Sequence, residues 1–199
     1  MAFSRSGSDA QGIAAVIDKL RHHESSRQWF AILFVPLVAL LGNTDILAFI
    51  IGTLIIVVGE AVRLWASGHV HKNQMLATDG PYAMVRHPLY VGNILVLLGF
   101  SIASTQWWAF LLMGFLLWFY YPPAIAYEDN KLHQAFGEQW ENWSRDIHAL
   151  IPKFTTPSVA NSSWSFKQSL MRNGEPVIAL YLLVFLCILF YGLFFGLTH

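Results

Sequence analysis

The chain has one cysteine, Cys187, inside an apolar run, so neither a disulfide framework nor a cysteine-built zinc centre is available to it. Charge is almost as scarce: only 12% of residues are charged, and 12 Lys and Arg balance 12 Asp and Glu. A zero net charge lacks the electrostatic footprint of a nucleic-acid binder. There is no HExxH motif and no multiple-histidine cluster, so no metal centre is expected; His69 and His71, two apart, do not share a helix face and read as solvated or interfacial side chains. The first 28 residues lack the continuous apolar core of a secretory signal and are expected to be retained.

What fills the space is hydrophobic sequence. At 55% hydrophobic, with 15 Phe, 8 Trp and 7 Tyr, the composition is that of an integral membrane protein. Ile13, Val16, Ile17 and Leu20 fall at helical spacing opposite Asp18, Lys19 and Arg21, a short helix lying on the membrane surface or packed on the rest of the protein. Trp29 to Gly42 is uniformly apolar and contains Pro36, Asn43-Thr44-Asp45 interrupts it, and Ile46 to Ala66 is apolar again apart from Glu60 and Arg63. These two runs predict a tight helical hairpin. Glu60 and Arg63, three apart, share a helix face and read either as an intramembrane ion pair or as part of a site. Leu89 to Ala103 and Trp107 to Ala126, separated by Ser104-Thr105-Gln106, predict a second hairpin. Its second arm carries Pro122-Pro123, expected to bend the helix just before Glu128 and Asp129. Phe136, Trp140 and Trp143 lie among charged residues in an amphipathic cytoplasmic helix, a Ser, Thr and Asn-rich stretch reads as a linker, and Pro176 to Leu197 carries no charge.

About five spans with the N-terminus inside place all twelve basic residues on the cytoplasmic side and put the C-terminus opposite. The class is therefore all-α, a polytopic membrane protein with cytoplasmic connectors.

The polar stretch after the first hairpin ends in Leu76-x3-Gly80-Pro81-Tyr82-x3-Arg86-His87-Pro88-x-Tyr90-x-Gly92. A membrane hairpin follows, then Glu128-Asp129, Phe136-Gly137-x2-Trp140-x2-Trp143 and a Leu-Ile-Pro ending before Phe154. This pattern, over roughly 59–154, resembles the isoprenylcysteine carboxyl methyltransferase and phospholipid methyltransferase group of membrane enzymes. The resemblance implies S-adenosylmethionine-dependent methyl transfer, with cofactor from the cytoplasm and a lipophilic acceptor from the bilayer: a prenylated thiol or carboxylate, a phospholipid amine, or a small thiol. Carried over by position, it implies that Tyr82, Arg86, His87, Tyr90 and Glu128 bind the cofactor and that Asp129 and Arg86 serve catalysis. Asp129 stands where the family usually has a second Glu.

On this reading the chain divides into an N-terminal segment (1–28), a transmembrane hairpin (29–66), a methyltransferase-like core (67–154), a linker (155–175) and a last transmembrane helix (176–199). Methyl transfer from a sulfonium is an in-line displacement in which positive charge disappears, so a dry aromatic pocket that aligns the atoms suits it. Tyr82, Tyr90, Tyr120, Tyr121 and Tyr127 are candidates for its walls. A carboxylate or thiolate acceptor needs no general base; for an amine, Asp129 or His133, four apart on one helix face, are the candidates. Two alternatives belong to other classes. One is an NADPH-dependent lipid or sterol reductase, since such enzymes look similar around the Arg-His-Pro-x-Tyr cluster. The other is a non-catalytic membrane scaffold.

Overall fold

The computed structural model describes residues 24–70, 75–153 and 164–195, and every regular element among them is helical. The surface helix read at Ile13 to Arg21, together with His71, Lys72, Phe154 and the first part of the linker, lies outside the described residues. The long helices are α1 (Glu24–Leu40), α2 (Ile46–His69), α3 (Pro88–Ala103), α4 (Trp107–Phe136) and α6 (Glu175–Phe195), with the short α5 (Glu138–Ser144) after α4. Three of them, α2, α4 and α6, are long and apolar enough to cross a membrane, while α3 is a shorter apolar helix.

Each start has a local cause. The Asp45 carboxylate caps α2 by accepting from the backbone N–H groups of Leu47 and Ala48 at 2.9 and 3.0 Å. Pro88 opens α3 at its first position, where a missing N–H costs nothing. Gly137, at φ 50°, ends α4 and turns the chain into α5.

The α2–α3 pair is the frame. Gly52 and Gly59 on α2 face Gly99 and Gly92 on α3, two helical turns apart on each helix. A Cβ on Gly59 would stand 2.8 Å from the Gly92 carbonyl, and one on Gly99 would stand 2.6 Å from that of Gly52. Small residues at matched positions let the two backbones approach closely, which is how helices gain packing energy in lipid. α1 packs on α6, α3 and α4, and its Phe34, Val35 and Val38 enter a core with Phe100, Leu116 and Leu189. The close pairing expected between the first two apolar runs is therefore not the one formed: the glycine faces of α2 and α3 satisfy each other, and α1 is left to fill the bundle.

The two loops at one end of the bundle meet each other. Asn43 N–H donates to the Ser104 carbonyl at 3.0 Å, and the Thr105 hydroxyl donates to the Asn43 carbonyl. At the other end, residues 164–173 do not hang as a linker. The π-helical turn Gln168–Arg172 docks against the C-terminal turn of α2, whose last carbonyls have no partner within the helix. Gln168 Nε2 donates to the Val70 carbonyl at 2.6 Å, Asn173 Nδ2 donates to that of Ser67 at 2.6 Å, and the Ser67 and Ser169 hydroxyls are 2.7 Å apart. α4 runs unbroken through Pro122 and Pro123.

Candidate active site

The site lies at this second end, between the connector that follows α2 and the far end of α4. Asp79 precedes a one-turn 3₁₀ helix, Gly80–Ala83, which Gly80 enters at φ 54°. That turn buries Tyr82, at 9% exposure, and Trp143 Nε1 on α5 donates to its carbonyl at 3.1 Å. The segment between the turn and α3 is held by the chain after α5. Arg86 N–H donates to the His148 carbonyl at 2.9 Å, His87 N–H to Ala149 at 3.1 Å, and Lys153 N–H to Met84 at 2.8 Å. His69, read from the sequence as solvated or interfacial, is instead buried at the end of α2, with Nδ1 3.1 Å from an Asp79 carboxylate oxygen. Its ring fills the space beside Gly80 that a Cβ would need.

Asp129 gathers the motif. Its Oδ2 is 3.2 Å from Arg86 Nη2, and its Oδ1 accepts from His87 Nε2 at 3.0 Å. The other nitrogen of His87 lies 3.7 Å from Glu128 Oε2, and its ring stacks on Tyr90 with centroids 5.4 Å apart. The Arg-His pair and the Glu-Asp pair, 42 residues apart, thus form one cluster. His87 caps α3 without using its side chain on the backbone, which leaves the imidazole for Asp129.

A cavity of about 400 Å³ opens beside this cluster, within the range that holds small-molecule ligands. Tyr82, Tyr90, Tyr127, Phe136 and Trp143 form its aromatic lining, and Arg86, Glu128 and Lys131 supply its charges. Of the six candidate residues, Tyr82, Arg86, Tyr90 and Glu128 face the cavity, while His87 and Asp129 stand behind that wall. Both Asp129 oxygens are engaged, one by Arg86 and one by His87. Two of the five tyrosines fall elsewhere as well. Tyr120 is buried in the core with its ring 4.8 Å from Phe119, and Tyr121 packs behind Tyr90 at 5.4 Å. His133, considered above as a base, turns outward to Glu141 Oε1 at 2.7 Å.

The electrostatics of the lining are uneven. Burial pushes the Tyr82 phenol far above its ordinary range, and the nearby Glu128 carboxylate adds to the rise, so Tyr82 stays protonated. Arg86 lines the cavity with its Nη2 held by Asp129, and its buried Nε has no hydrogen-bond partner among the described residues. A guanidinium that lines a cavity is a ready donor to an anionic group. Glu128 is half exposed and offers a carboxylate on the same wall. Among the described residues no group of three or more His, Cys, Asp or Glu could hold a metal ion. Lys131 is a charged lining residue that sequence reasoning missed as part of a site. Its signal was its place one helical turn after Glu128 on the same face.

The family model for phospholipid methyltransferases matches residues 46–139, from the start of α2 into α5, so the resemblance carried by the motif holds over the segment that builds most of the cleft. The chain is 37% identical over 119 residues to a cobalt-zinc-cadmium resistance protein of Cupriavidus metallidurans, covering 56% of this chain and 52% of that one. It is 34% identical over 82 residues to the protein-S-isoprenylcysteine O-methyltransferase of Schizosaccharomyces pombe, covering 41% and 35%. To the methanethiol S-methyltransferase of Crocosphaera subtropica it is 38% identical over 75 residues, covering 38% and 28%. The match thus spans about half or less of the length of these relatives. No solved structure matches the chain.

Proposed function

We infer, from a chain whose residues 46–139 match the phospholipid methyltransferase family, that the protein is an S-adenosylmethionine-dependent methyltransferase acting on a lipophilic acceptor. The observation that carries this reading is an aromatic cleft lined by both the Arg86 guanidinium and the Glu128 carboxylate. The donor set fits the cofactor's parts. Arg86 would take its carboxylate, Glu128 its amino group or ribose hydroxyls, and the rings of Tyr82, Tyr90 and Trp143 its base and sulfonium. When bound, the cofactor supplies an electrophilic methyl group on a positively charged sulfur.

The protein's share of the work is alignment and exclusion of water. Asp129 is a positioning residue that fixes the Arg86 fork and the His87 ring. Tyr82, kept protonated, adds no second negative charge to the cleft. The apolar side chains Leu89, Ala124 and Leu132 continue the lining onto α3 and α4, the surfaces along which a lipophilic acceptor would arrive.

Calorimetric titration of the detergent-purified protein with S-adenosylhomocysteine and, separately, NADPH tests the reading. Saturable binding of the first alone is expected, followed by transfer of labelled methyl to lipid or thiol acceptors. Binding of NADPH alone would replace it with a reductase.

A further inference from the structure

The sequence spacing of Glu60 and Arg63 predicts an intramembrane ion pair or a part of a site. The pair is there, with Arg63 Nε 3.4 Å from Glu60 Oε2, yet the stronger partner is elsewhere. Arg63 Nη2 donates to both oxygens of Glu175, at 3.1 and 3.0 Å, and Nη1 donates to the Asn93 side-chain oxygen. Arg63 is 8% exposed and Glu175 2%. One guanidinium therefore joins α2, the second turn of α2's neighbour α3, and the first residue of α6. Gly92 leaves the room for it, since a Cβ there would stand 2.5 Å from Arg63 Cγ.

The place of this brace matters more than its strength. Asn93 lies one helical turn beyond Tyr90 on α3, and Tyr90 lines the cleft and stacks on His87. Arg63 is two turns before Val70 on the same chain segment, and Val70 also lines the cleft. The brace thus ties together two elements that both contribute to the lining. Glu175 is also close enough for its charge to be felt at Tyr82. It comes from outside the family-matched segment, so the last helix reaches into the frame of a site it does not line.

We propose that Glu175 is a positioning residue of the cleft, acting through Arg63 on Asn93 and so on the turn of α3 that carries Tyr90. The proposal rests on the methyltransferase reading, and its test separates the two. Glu175→Gln removes the charge but keeps the shape. Asn93→Ala leaves the ion pair intact and cuts only the link to α3. Both are titrated with S-adenosylhomocysteine beside wild type, with thermal midpoints recorded so that affinity is judged on folded protein.

Each variant is expected to bind about tenfold more weakly than wild type, and the double variant no more weakly than the worse single, because both cut one path. A brace that serves stability alone would move the midpoints and leave the affinities of folded protein unchanged. Wild-type affinity in both variants, or losses that multiply in the double, would overturn the proposal. Should Glu175→Gln fail to fold, Glu175→Asp, which keeps the carboxylate but draws it back by one methylene, takes its place with the same expectations. Failure of the wild type itself to bind overturns the methyltransferase reading, and this proposal with it.

Discussion

Arg86 is the residue whose geometry asks most plainly for a ligand. Its Nη2 is tied to Asp129 at 3.2 Å while the side chain lines the cleft, and a charge-assisted hydrogen bond from the guanidinium to a ligand is worth about 1.5–3 kcal/mol. Arg86→Ala is expected to weaken S-adenosylhomocysteine binding about ten- to a hundredfold. Arg86→Lys should recover little, since an ammonium has no planar fork to serve Asp129 and a ligand together. Asp129→Ala should weaken binding and turnover together, because it loosens both Arg86 and His87. An unchanged Kd with depressed kcat would instead return Asp129 to contact with the reacting atoms.

Tyr82 gives a residue-scale prediction in pH. Its phenol is held protonated by burial and by Glu128, so its folded-state pKa lies above the unfolded value of about 10. The folded state then binds the proton more tightly, and the stabilisation is complete below about pH 10 and declines as pH rises beyond it. Thermal midpoints measured between neutral and strongly alkaline pH should fall on the alkaline side in wild type. In Tyr82→Phe that fall should be smaller; an identical fall in the two proteins would show that Tyr82 takes no part.

At the scale of elements, the α2–α3 pair depends on what is missing from Gly52, Gly59, Gly92 and Gly99. A methyl at Gly99 would press on Ile56 Cγ1 at 2.5 Å and on the Gly52 carbonyl at 2.6 Å. Gly99→Ala should cost about 1–3 kcal/mol of stability. Gly114 on α4 has no atom of the described residues within 4 Å of the same position, so Gly114→Ala should be neutral or stabilising by up to about 1 kcal/mol. Thermal unfolding of the two variants in one detergent checks the contrast, and equal losses would show that the glycine faces do not set this interface.

The apolar runs and their interruptions were legible because hydropathy and turn chemistry are local, and the Arg86-His87 and Glu128-Asp129 dipeptides stood out by composition. Which helices pair was not legible, since four glycines at matched heights act only once two backbones meet. The side on which Asp129 sits was hidden for the same reason. Neighbours in sequence, Glu128 and Asp129 point to different surroundings once α4 packs, one into the cleft and one behind it. The docking of 164–173 was masked by a composition that also suits a linker, although Gln168, Ser169 and Asn173 serve there as caps for α2.

For the whole molecule, the two ends of the bundle differ in charge. One end holds the paired loops at Asn43 and Ser104, and Leu189 of α6 reaches Gly42 there. The other holds the cleft with Arg86 and Lys131, the Lys153 pairing with Met84, and Arg63 on Glu175. The length of α4 agrees with this polarity. Its 30 residues make about 45 Å of helix, while a hydrocarbon core needs only about 30 Å. The excess, at the Phe136 end, is the part that carries Glu128 and Lys131 into the cleft. Basic residues favour the cytoplasmic side, so the cleft end should be cytoplasmic and the paired loops should face outward. The single cysteine makes the test clean. In a Cys187→Ser background, Thr44→Cys should react with a membrane-impermeant maleimide on intact cells, and Glu138→Cys, exposed on α5, only after permeabilisation. The reverse pattern would put the cleft on the side away from cytoplasmic S-adenosylmethionine. It would then count against the methyltransferase reading as well as against the orientation, which is why the labelling bears on function and not only on topology.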